Sequence, residues 1–336
     1  MGLVGFGYWG PNLARNFAAQ DDCQLLGICE IAPQRAALAK KAYPAALVTH
    51  DLDDLLNDPA IHAILIATPV SSHREIAGRA LLAGKDVLIE KPIALTANDA
   101  RELIGIAADR QRILAVDHTF LFTGAVQKMK ELVDSGELGE LLYFDSVRIN
   151  LGLFQPDVNV IWDLAPHDIA ILTYLVGVDP VSVQAMGISH AGNQIENIAY
   201  LHLEFPDDLI AHFHLNWLAP VKIRRTLIGG RKKMIVYDDM EPSEKVKVYD
   251  KGVTIREQDV DSLYKLIVDY RTGDMVAPKL SHHEALDAEA QHFLHCVRTR
   301  SHPLSDGALG LRVAKILEAA QLSLQSSGRK VGLEQS

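Results

Sequence analysis

Short apolar runs alternate with helix-forming segments through the first third of the chain. The apolar runs lie at residues 3–4, 24–29, 61–67, 86–89 and 113–116, and helical patterns lie between them at 12–19, 33–42, 72–83 and 96–109. Strands this apolar, each followed by a helix, are typical of a parallel sheet that helices cover on both faces. We therefore predict an N-terminal, doubly wound α/β domain over residues 1–120.

The pattern changes after residue 120. Helices are predicted at 124–135 and 162–176, with a strand at 141–151 between them. Five strand-like segments then follow one another without helices between them: 181–188, 195–205, 209–217, 223–229 and 233–237. Such a succession indicates a mostly antiparallel sheet. We expect residues 121–336 to form a second α/β domain with a large open sheet.

Charge and cysteine content narrow the class of protein. The formal net charge of −10 argues against a broad surface for nucleic acids. No apolar run approaches the roughly 20 residues that a membrane helix needs. The three cysteines show no paired or metal-like spacing, which fits a reducing cytoplasm. A cytoplasmic protein without nucleic-acid or membrane partners is expected.

The stretch GFGYWG at residues 5–10 has the spacing of a turn that binds a dinucleotide. Gly5, Gly7 and Gly10 follow an apolar strand and open a helix, and Glu30 closes the next apolar strand. Glycines let the backbone approach a pyrophosphate, and the acid accepts hydrogen bonds from a ribose. A carboxylate at this place repels the 2′-phosphate of NADP, so NAD is the predicted cofactor. Arg35 could alter the preference for NAD over NADP, although it is more simply interpreted as a solvated helix residue.

Two further stretches, VLIEKPIAL at 87–95 and WDLAPHDIAIL at 162–172, contain candidate catalytic residues. Lys91 follows an apolar strand, at the sheet edge where open α/β proteins bind ligands. Asp163 and His167 are four residues apart on a predicted helix and so share one face. Taken singly, Lys91 is also compatible with a surface charge, and the Asp–His pair with a local hydrogen bond.

Together, these three residues suit the oxidation of a secondary alcohol. A histidine can take the hydroxyl proton at neutral pH while NAD takes the hydride. An ammonium group stabilises the developing alkoxide. Asp163 would orient the imidazole or hold a neighbouring hydroxyl.

The order of these motifs resembles the glucose–fructose oxidoreductase/inositol dehydrogenase (Gfo/Idh/MocA) family over nearly the whole chain. The resemblance implies a Rossmann domain followed by an α/β domain whose open sheet face forms dimers or tetramers. It implies Lys91 as the catalytic lysine, His167 as the acid/base and Asp163 as their companion. It places His118 loosely at the cleft. The residues that it implies at the cofactor are Gly5, Gly7, Tyr8, Trp9, Gly10, Glu30, Thr68, Pro69, His73, Glu90 and Lys91.

Two segments, GFGYWGPNLARNF and RINLGLFQPDVNVIWDLAPHD, resemble family members that act on nucleotide sugars. The similarity is to UDP-N-acetylglucosamine and UDP-N-acetylglucosaminuronic acid 3-dehydrogenases, which oxidise the sugar 3-hydroxyl with NAD. Arg148 and Asn150 would then share a strand face toward the substrate, with Lys91, Asp163 and His167 as the other contacts. An exposed strand pair is the alternative for Arg148 and Asn150.

Other functions remain open at this point. A dehydrogenase of inositol or a free monosaccharide is one alternative, and a non-catalytic NAD-binding regulator is another. The segment 148–160 is expected to separate the first two substrate classes, because an arginine has no obvious role toward a neutral polyol. His202, His212 and His214 on neighbouring strands could suggest a metal, but sheet packing is favoured and no metal site is predicted.

Overall fold

The computed structural model describes residues 1–152, 158–190, 195–250, 252–256 and 267–333. The chain divides into two compact units. The first comprises 1–123 and 283–318, and the second comprises 124–282 and 319–336. In the described ranges, no helix has both the length and the apolarity needed to cross a membrane.

The strands are β1 (Gly2–Val4), β2 (Gly27–Cys29), β3 (Leu47–Thr49), β4 (Ala63–Ile66), β5 (Asp86–Glu90), β6 (Leu114–Asp117), β7 (Leu141–Leu151), β8 (Ser182–Ile188), β9 (Ile198–Glu204), β10 (Ile210–Asn216), β11 (Leu218–Gly230), β12 (Met234–Asp238), β13 (Val246–Tyr249), β14 (Gly252–Arg256), β15 (Ile267–Arg271), β16 (Met275–Val276) and β17 (Val331–Gly332). The α-helices are α1 (Gly10–Ala18), α2 (Pro33–Ala42), α3 (Asp53–Leu56), α4 (His73–Leu82), α5 (Ala97–Asp109), α6 (Gly124–Asp134), α7 (Val160–Val176), α8 (Ala285–Thr299) and α9 (Gly307–Gln325). The sequence did not predict β3 or α3, which are both short.

The first unit contains a parallel sheet in the order β3-β2-β1-β4-β5-β6. Alternate residues of its strands enter two separate cores. Val4 and Ile66 pack with α3, α4 and α5 on one face, whereas Leu3 and Leu65 pack with α1, α2 and α8 on the other. Because both faces are covered, β1, β2 and β4 carry no polar side chain. The predicted doubly wound sheet is confirmed.

Residues 283–318, which the sequence analysis placed with the second domain, lie in the first compact unit. Helix α8 packs on the first unit, where Phe293 lies edge-to-face with Phe17 of α1 at 6.0 Å. Ala314 of α9 enters the core on the opposite face of the same sheet. An amphipathic helix shows from its sequence that it covers a core, but not which core.

The second unit contains a mixed sheet in the order β16-β13-β12-β11-β7-β10-β9-β8-β17. Strands β7 and β10 are parallel, and the other pairs are antiparallel. Helix α7 packs against β7, β9 and β10. The prediction of a large, mostly antiparallel sheet is confirmed. Strands β14 and β15 form a separate two-stranded sheet.

Candidate functional site

The carboxyl ends of the parallel strands in the first unit bring most of the predicted cofactor residues to one edge. Glu30 follows β2, Thr68 lies just beyond β4, and Lys91 follows β5. The order of the strands reverses between β1 and β4, and ligands of open α/β sheets bind at such a point. The turn that joins β1 to α1 therefore lies where a dinucleotide would be held.

The backbone of this turn requires glycine at two places. Gly5 has a φ of +91°, and a Cβ atom there would lie 2.6 Å from the Ala67 carbonyl oxygen. A Cβ on Gly10 would lie 2.3 Å from the Gly5 carbonyl oxygen. Since α1 begins at Gly10, its first backbone N–H groups are directed toward the turn. These features fit the pyrophosphate of NAD.

The middle of the turn is less constrained. Gly7 is half-buried, and a Cβ there would lie 3.3 Å from a guanidinium nitrogen of Arg35. Tyr8 and Trp9 are exposed, with their rings edge-to-face at 5.7 Å. Arg35 thus lies beside the turn, closer to it than the sequence indicated.

Glu30 is buried and linked to the glycine turn. Its Oε2 atom accepts a hydrogen bond from the Phe6 backbone N–H at 2.6 Å, and Oε1 accepts one from the Ala32 N–H at 2.8 Å. A carboxylate has about four acceptor sites, so these two bonds leave capacity for ribose hydroxyls. The fixed carboxylate fits an NAD ribose.

His73 connects two loops at the sheet edge. One ring nitrogen lies 2.9 Å from the Thr68 carbonyl oxygen, and the other lies 2.9 Å from that of Pro92. Burial lowers the pKa of this imidazole, which favours its neutral form. The buried His73 ring therefore contacts the backbone of two loops, one of which carries Lys91 and the other the exposed Pro69. The sequence did not predict this bridging position.

Three acidic side chains lie buried behind Lys91. Glu90 and Asp117 are register partners at the ends of β5 and β6, and Glu289 of α8 joins them. Burial, together with Asp117, raises the pKa of Glu90. Burial and the nearby Lys91 lower the pKa of His118 to about 3. The carboxyl group of Glu90 thus points into an acidic cluster, a placement that the motif EKP did not predict.

In the second unit, Asp163 and His167 lie one turn apart on α7, and both are half-buried. The helix begins after Asn159, whose side chain accepts hydrogen bonds from the Ile161 and Trp162 N–H groups. Asn159 thereby fixes the first turn, which contains Asp163.

Trp217 holds the carboxylate of Asp163. Its indole Nε1–H donates to Asp163 Oδ2 at 2.9 Å, and the ring is fully buried. A Cβ on Gly152 would lie 2.5 Å from this ring. The sequence alone did not indicate Trp217 as a contact of Asp163. Its position just after the alternating strand β10 was the available signal.

Arg148 has a different environment from the expected one. Its Nε and Nη2 atoms donate to the two Asp168 oxygens, at 2.9 and 2.6 Å, and the residue is 3% exposed. Asp168 projects from α7, so the predicted face of Arg148 and Asn150 is the one that α7 covers. The guanidinium is therefore committed to an internal ion pair. Asn150 is half-buried, and residues 153–157 of the predicted substrate segment lie outside the described residues.

The histidines lie on the opposite sheet face. His202 Nδ1 and His212 Nε2 are 3.0 Å apart, and His214 stacks on Tyr200 with ring centroids 4.6 Å apart. Within the described ranges, no group of three or more potential ligands could hold a metal ion.

Comparisons with known proteins agree with this architecture. Residues 1–118 match a family model described as "Oxidoreductase family, NAD-binding Rossmann fold", and residues 126–236 match the GFO/IDH/MocA C-terminal domain. An uncharacterised oxidoreductase of Escherichia coli, YdgJ, is 30% identical over 73% of this chain and 72% of its own. The scyllo-inositol 2-dehydrogenase (NADP(+)) IolW of Bacillus subtilis is 28% identical over 60% of this chain and 58% of its own.

A third relative matches nearly the full length. The UDP-N-acetylglucosamine 3-dehydrogenase of Acidithiobacillus ferrooxidans is 28% identical over 93% of both chains. The solved structure of that enzyme, GnnA, superposes with a TM-score of 0.81 at 26% identity and covers 97% of both chains. The glycine turn, the fixed Glu30 carboxylate and both matched domains agree with one assignment. The chain belongs to the Gfo/Idh/MocA family of NAD-binding oxidoreductases.

Proposed function

We propose that the protein is an NAD-dependent dehydrogenase of a UDP-N-acetylhexosamine or its uronate, and that it oxidises the sugar 3-hydroxyl. The observation that carries this proposal is the similarity to the UDP-N-acetylglucosamine 3-dehydrogenase over 93% of both chains. The Asp163–His167 pair on α7 and Lys91 after β5 supply the groups that such a reaction needs.

Each residue has a distinct role in this proposal. Bound NAD would accept the hydride from the sugar carbon. His167 takes the hydroxyl proton, and Lys91 stabilises the developing alkoxide. Asp163, already held by Trp217, orients the imidazole or a neighbouring hydroxyl. The turn at 5–10 and Glu30 hold the pyrophosphate and the ribose.

Substitution of Lys91 or His167 tests these roles. K91A and H167A are expected to lose turnover of UDP-N-acetylglucosamine, measured as NADH formation at 340 nm, while their Kd for NAD stays within a few-fold of wild type. Loss of NAD binding in both variants would contradict the assignment.

The cofactor preference has its own test. Glu30→Ala is expected to weaken NAD binding more than NADP binding, because the carboxylate that would repel a 2′-phosphate is removed. Titration calorimetry with both cofactors measures the ratio. An unchanged ratio would count against the ribose role. Arg35, which lies beside the turn, provides a second variant for the same titration.

An inositol or free-monosaccharide dehydrogenase is the second candidate. The similarity to the Bacillus subtilis inositol enzyme favours it. So does the ion pair of Arg148, because this arginine was the residue expected to favour an anionic substrate. A thermal-shift screen of UDP-sugars, dTDP-sugars and inositols in the presence of NAD decides between the candidates. Stabilisation by inositols alone would overturn the first choice.

We also propose a homodimer or homotetramer built on the exposed sheet face. Met186, Ile188 and Tyr200 are exposed there on neighbouring strands. Contiguous apolar surface of this kind marks an interface. Tyr200→Asp is expected to lower the mass measured by light scattering, whereas Leu38→Asp, an exposed position on α2, is the control. A monomeric wild-type protein would refute the proposal.

We expect a cytoplasmic location as well. All three cysteines are free thiols, which fits a reducing compartment. Fractionation of the source cells, followed by detection of the protein, measures it directly.

A further inference from the structure

Three carboxyl groups meet in the first unit where β5 and β6 end. Glu90 and Asp117 are register partners on these strands, and Glu289 reaches them from α8. Their exposed fractions are 7%, 3% and 2%. Asp117 lies within hydrogen-bonding reach of both glutamates. Asp117 is therefore the central member of a buried string.

The hydrogen bonds of the three groups are unequal. Asp117 Oδ1 accepts from the backbone N–H and the hydroxyl of Thr119, and Glu90 Oε2 accepts from the Lys91 N–H at 3.2 Å. Among the described residues, no donor reaches either carboxyl oxygen of Glu289 with good hydrogen-bond geometry, although the Thr119 side chain lies close enough to act on it. An ionised carboxylate buried without a partner costs several kcal/mol. A proton on Glu289 would turn its contact with Asp117 into a hydrogen bond.

The charges around Glu289 favour that proton. The main charged groups that act on it are Asp117 and Glu90, both acidic. Arg15 of α1, which reaches α8, bonds to Glu284. His118 is buried and uncharged beside the string, and Lys91 acts on Glu90 from the loop. Three adjacent carboxylates cannot all ionise in such a place.

We propose that Glu289 is a positioning residue for Lys91. It keeps its proton at neutral pH and donates a hydrogen bond to Asp117, which also accepts a hydrogen bond from protonated Glu90. The string fixes the end of β5, from which the Glu90 carboxyl group holds the Lys91 backbone N–H. It also leaves one negative charge, on Asp117, behind the lysine. The functional part of this inference rests on the proposed role of Lys91.

The direction in which fold stability changes with pH follows from the protonated state of Glu289 in the folded protein. Burial and the neighbouring carboxyl groups raise the pKa of Glu289 above that of an unfolded glutamate. Below the unfolded value, near 4.3, both states hold the proton. Above it the unfolded chain releases the proton and the folded chain keeps it, so stability falls as the pH rises toward the folded value. Each carboxyl group that is protonated in the folded state and ionised in the unfolded state lowers the folding constant by up to tenfold per pH unit.

Urea unfolding between pH 5 and 9 tests the protonation. Glu289→Gln keeps a hydrogen-bond donor for Asp117 but cannot ionise. Its stability should therefore fall less steeply with rising pH than that of wild type. The difference between the two slopes should reach up to tenfold in the folding constant per pH unit. Glu284→Gln, at the N-cap of the same helix and with an exposed carboxylate, should follow the wild-type slope. Parallel curves for Glu289→Gln and wild type would overturn the inference.

Turnover tests the positioning role, with UDP-N-acetylglucosamine and NAD as the probes. Glu289→Ala should lower kcat at least tenfold with a KM for NAD within twofold, and Glu289→Gln should restore most of kcat at neutral pH. Equal kcat values in Glu289→Ala and wild type would refute the role, and a failure of Glu289→Ala to fold leaves the decision to the Gln variant. An active K91A would refute the proposed role of Lys91, but the difference in pH slope would persist.

Discussion

The Arg148–Asp168 pair yields a prediction that separates a structural role from a substrate-binding one. Arg148→Met keeps most of the side-chain volume but removes both hydrogen bonds to Asp168, at 2.9 and 2.6 Å. The Asp168 carboxylate would remain buried on α7 without its main cation. Breaking one side of a buried ion pair typically costs about 3–5 kcal/mol. We expect a loss of that size in the free energy of unfolding.

Urea unfolding at pH 7, followed by circular dichroism, measures the loss. The double variant Arg148→Met/Asp168→Leu should recover much of it, because replacing both charges by apolar groups is often nearly neutral. Arg231→Met is the matched control, since Arg231 pairs with Glu140 on the surface. Exposed pairs contribute less than about 1 kcal/mol.

One result would refute the reasoning. If Arg148→Met unfolds at the wild-type urea concentration but shows a tenfold higher KM for UDP-N-acetylglucosamine, the guanidinium binds substrate and is not a structural group. A parallel rise in KM in Asp168→Asn would support that reading, because Asp168 would then orient the arginine.

Two further predictions concern the glycine turn and the tryptophan contact. Gly10→Ala should weaken NAD binding at least tenfold in calorimetry and destabilise the fold by about 1–3 kcal/mol, since its Cβ would meet the Gly5 carbonyl oxygen. Gly105→Ala, at an exposed helix position with nothing within 4 Å, should instead stabilise by about 0.4–1 kcal/mol. Trp217→Phe removes the hydrogen bond to Asp163 and should lower kcat with little change in NAD affinity, whereas Trp162→Phe loses only a bond to Gln321 and should not. Equal kcat values in the two tryptophan variants would contradict a positioning role for Trp217.

The sequence predicted the elements that the local pattern determines. The apolar strands and their helices could be read because each strand is buried on both faces. Strand β3 was missed because it has only three residues, which are exposed or half-buried. Alternation along β7 correctly placed Arg148 and Asn150 on one face, but it could not show that α7 covers that face.

Non-local contacts account for the features of the fold and the candidate site that the sequence did not predict. Glu289 lies far along the chain from Asp117, and only the return of residues 283–318 to the first unit brings the two together. Within α8, the apolar face indicates a buried helix, yet the acid on that face gives no sign of its partner. A charged residue within an otherwise apolar helix face is the available signal, and it predicts burial against another polar group.

In both units, buried polar groups hold the loops and side chains that the proposal places at the site. His73 connects the loops that carry Thr68 and Pro92, and Trp217 holds Asp163. Such groups act by fixing geometry, and small displacements of reacting groups cost large factors in rate. Their substitution should therefore lower kcat more than it weakens NAD binding. Glu30 differs, because its carboxylate both accepts the Phe6 N–H and is proposed to bind the ribose. Of these groups, Glu30 is the one whose loss should change cofactor affinity and fold stability together.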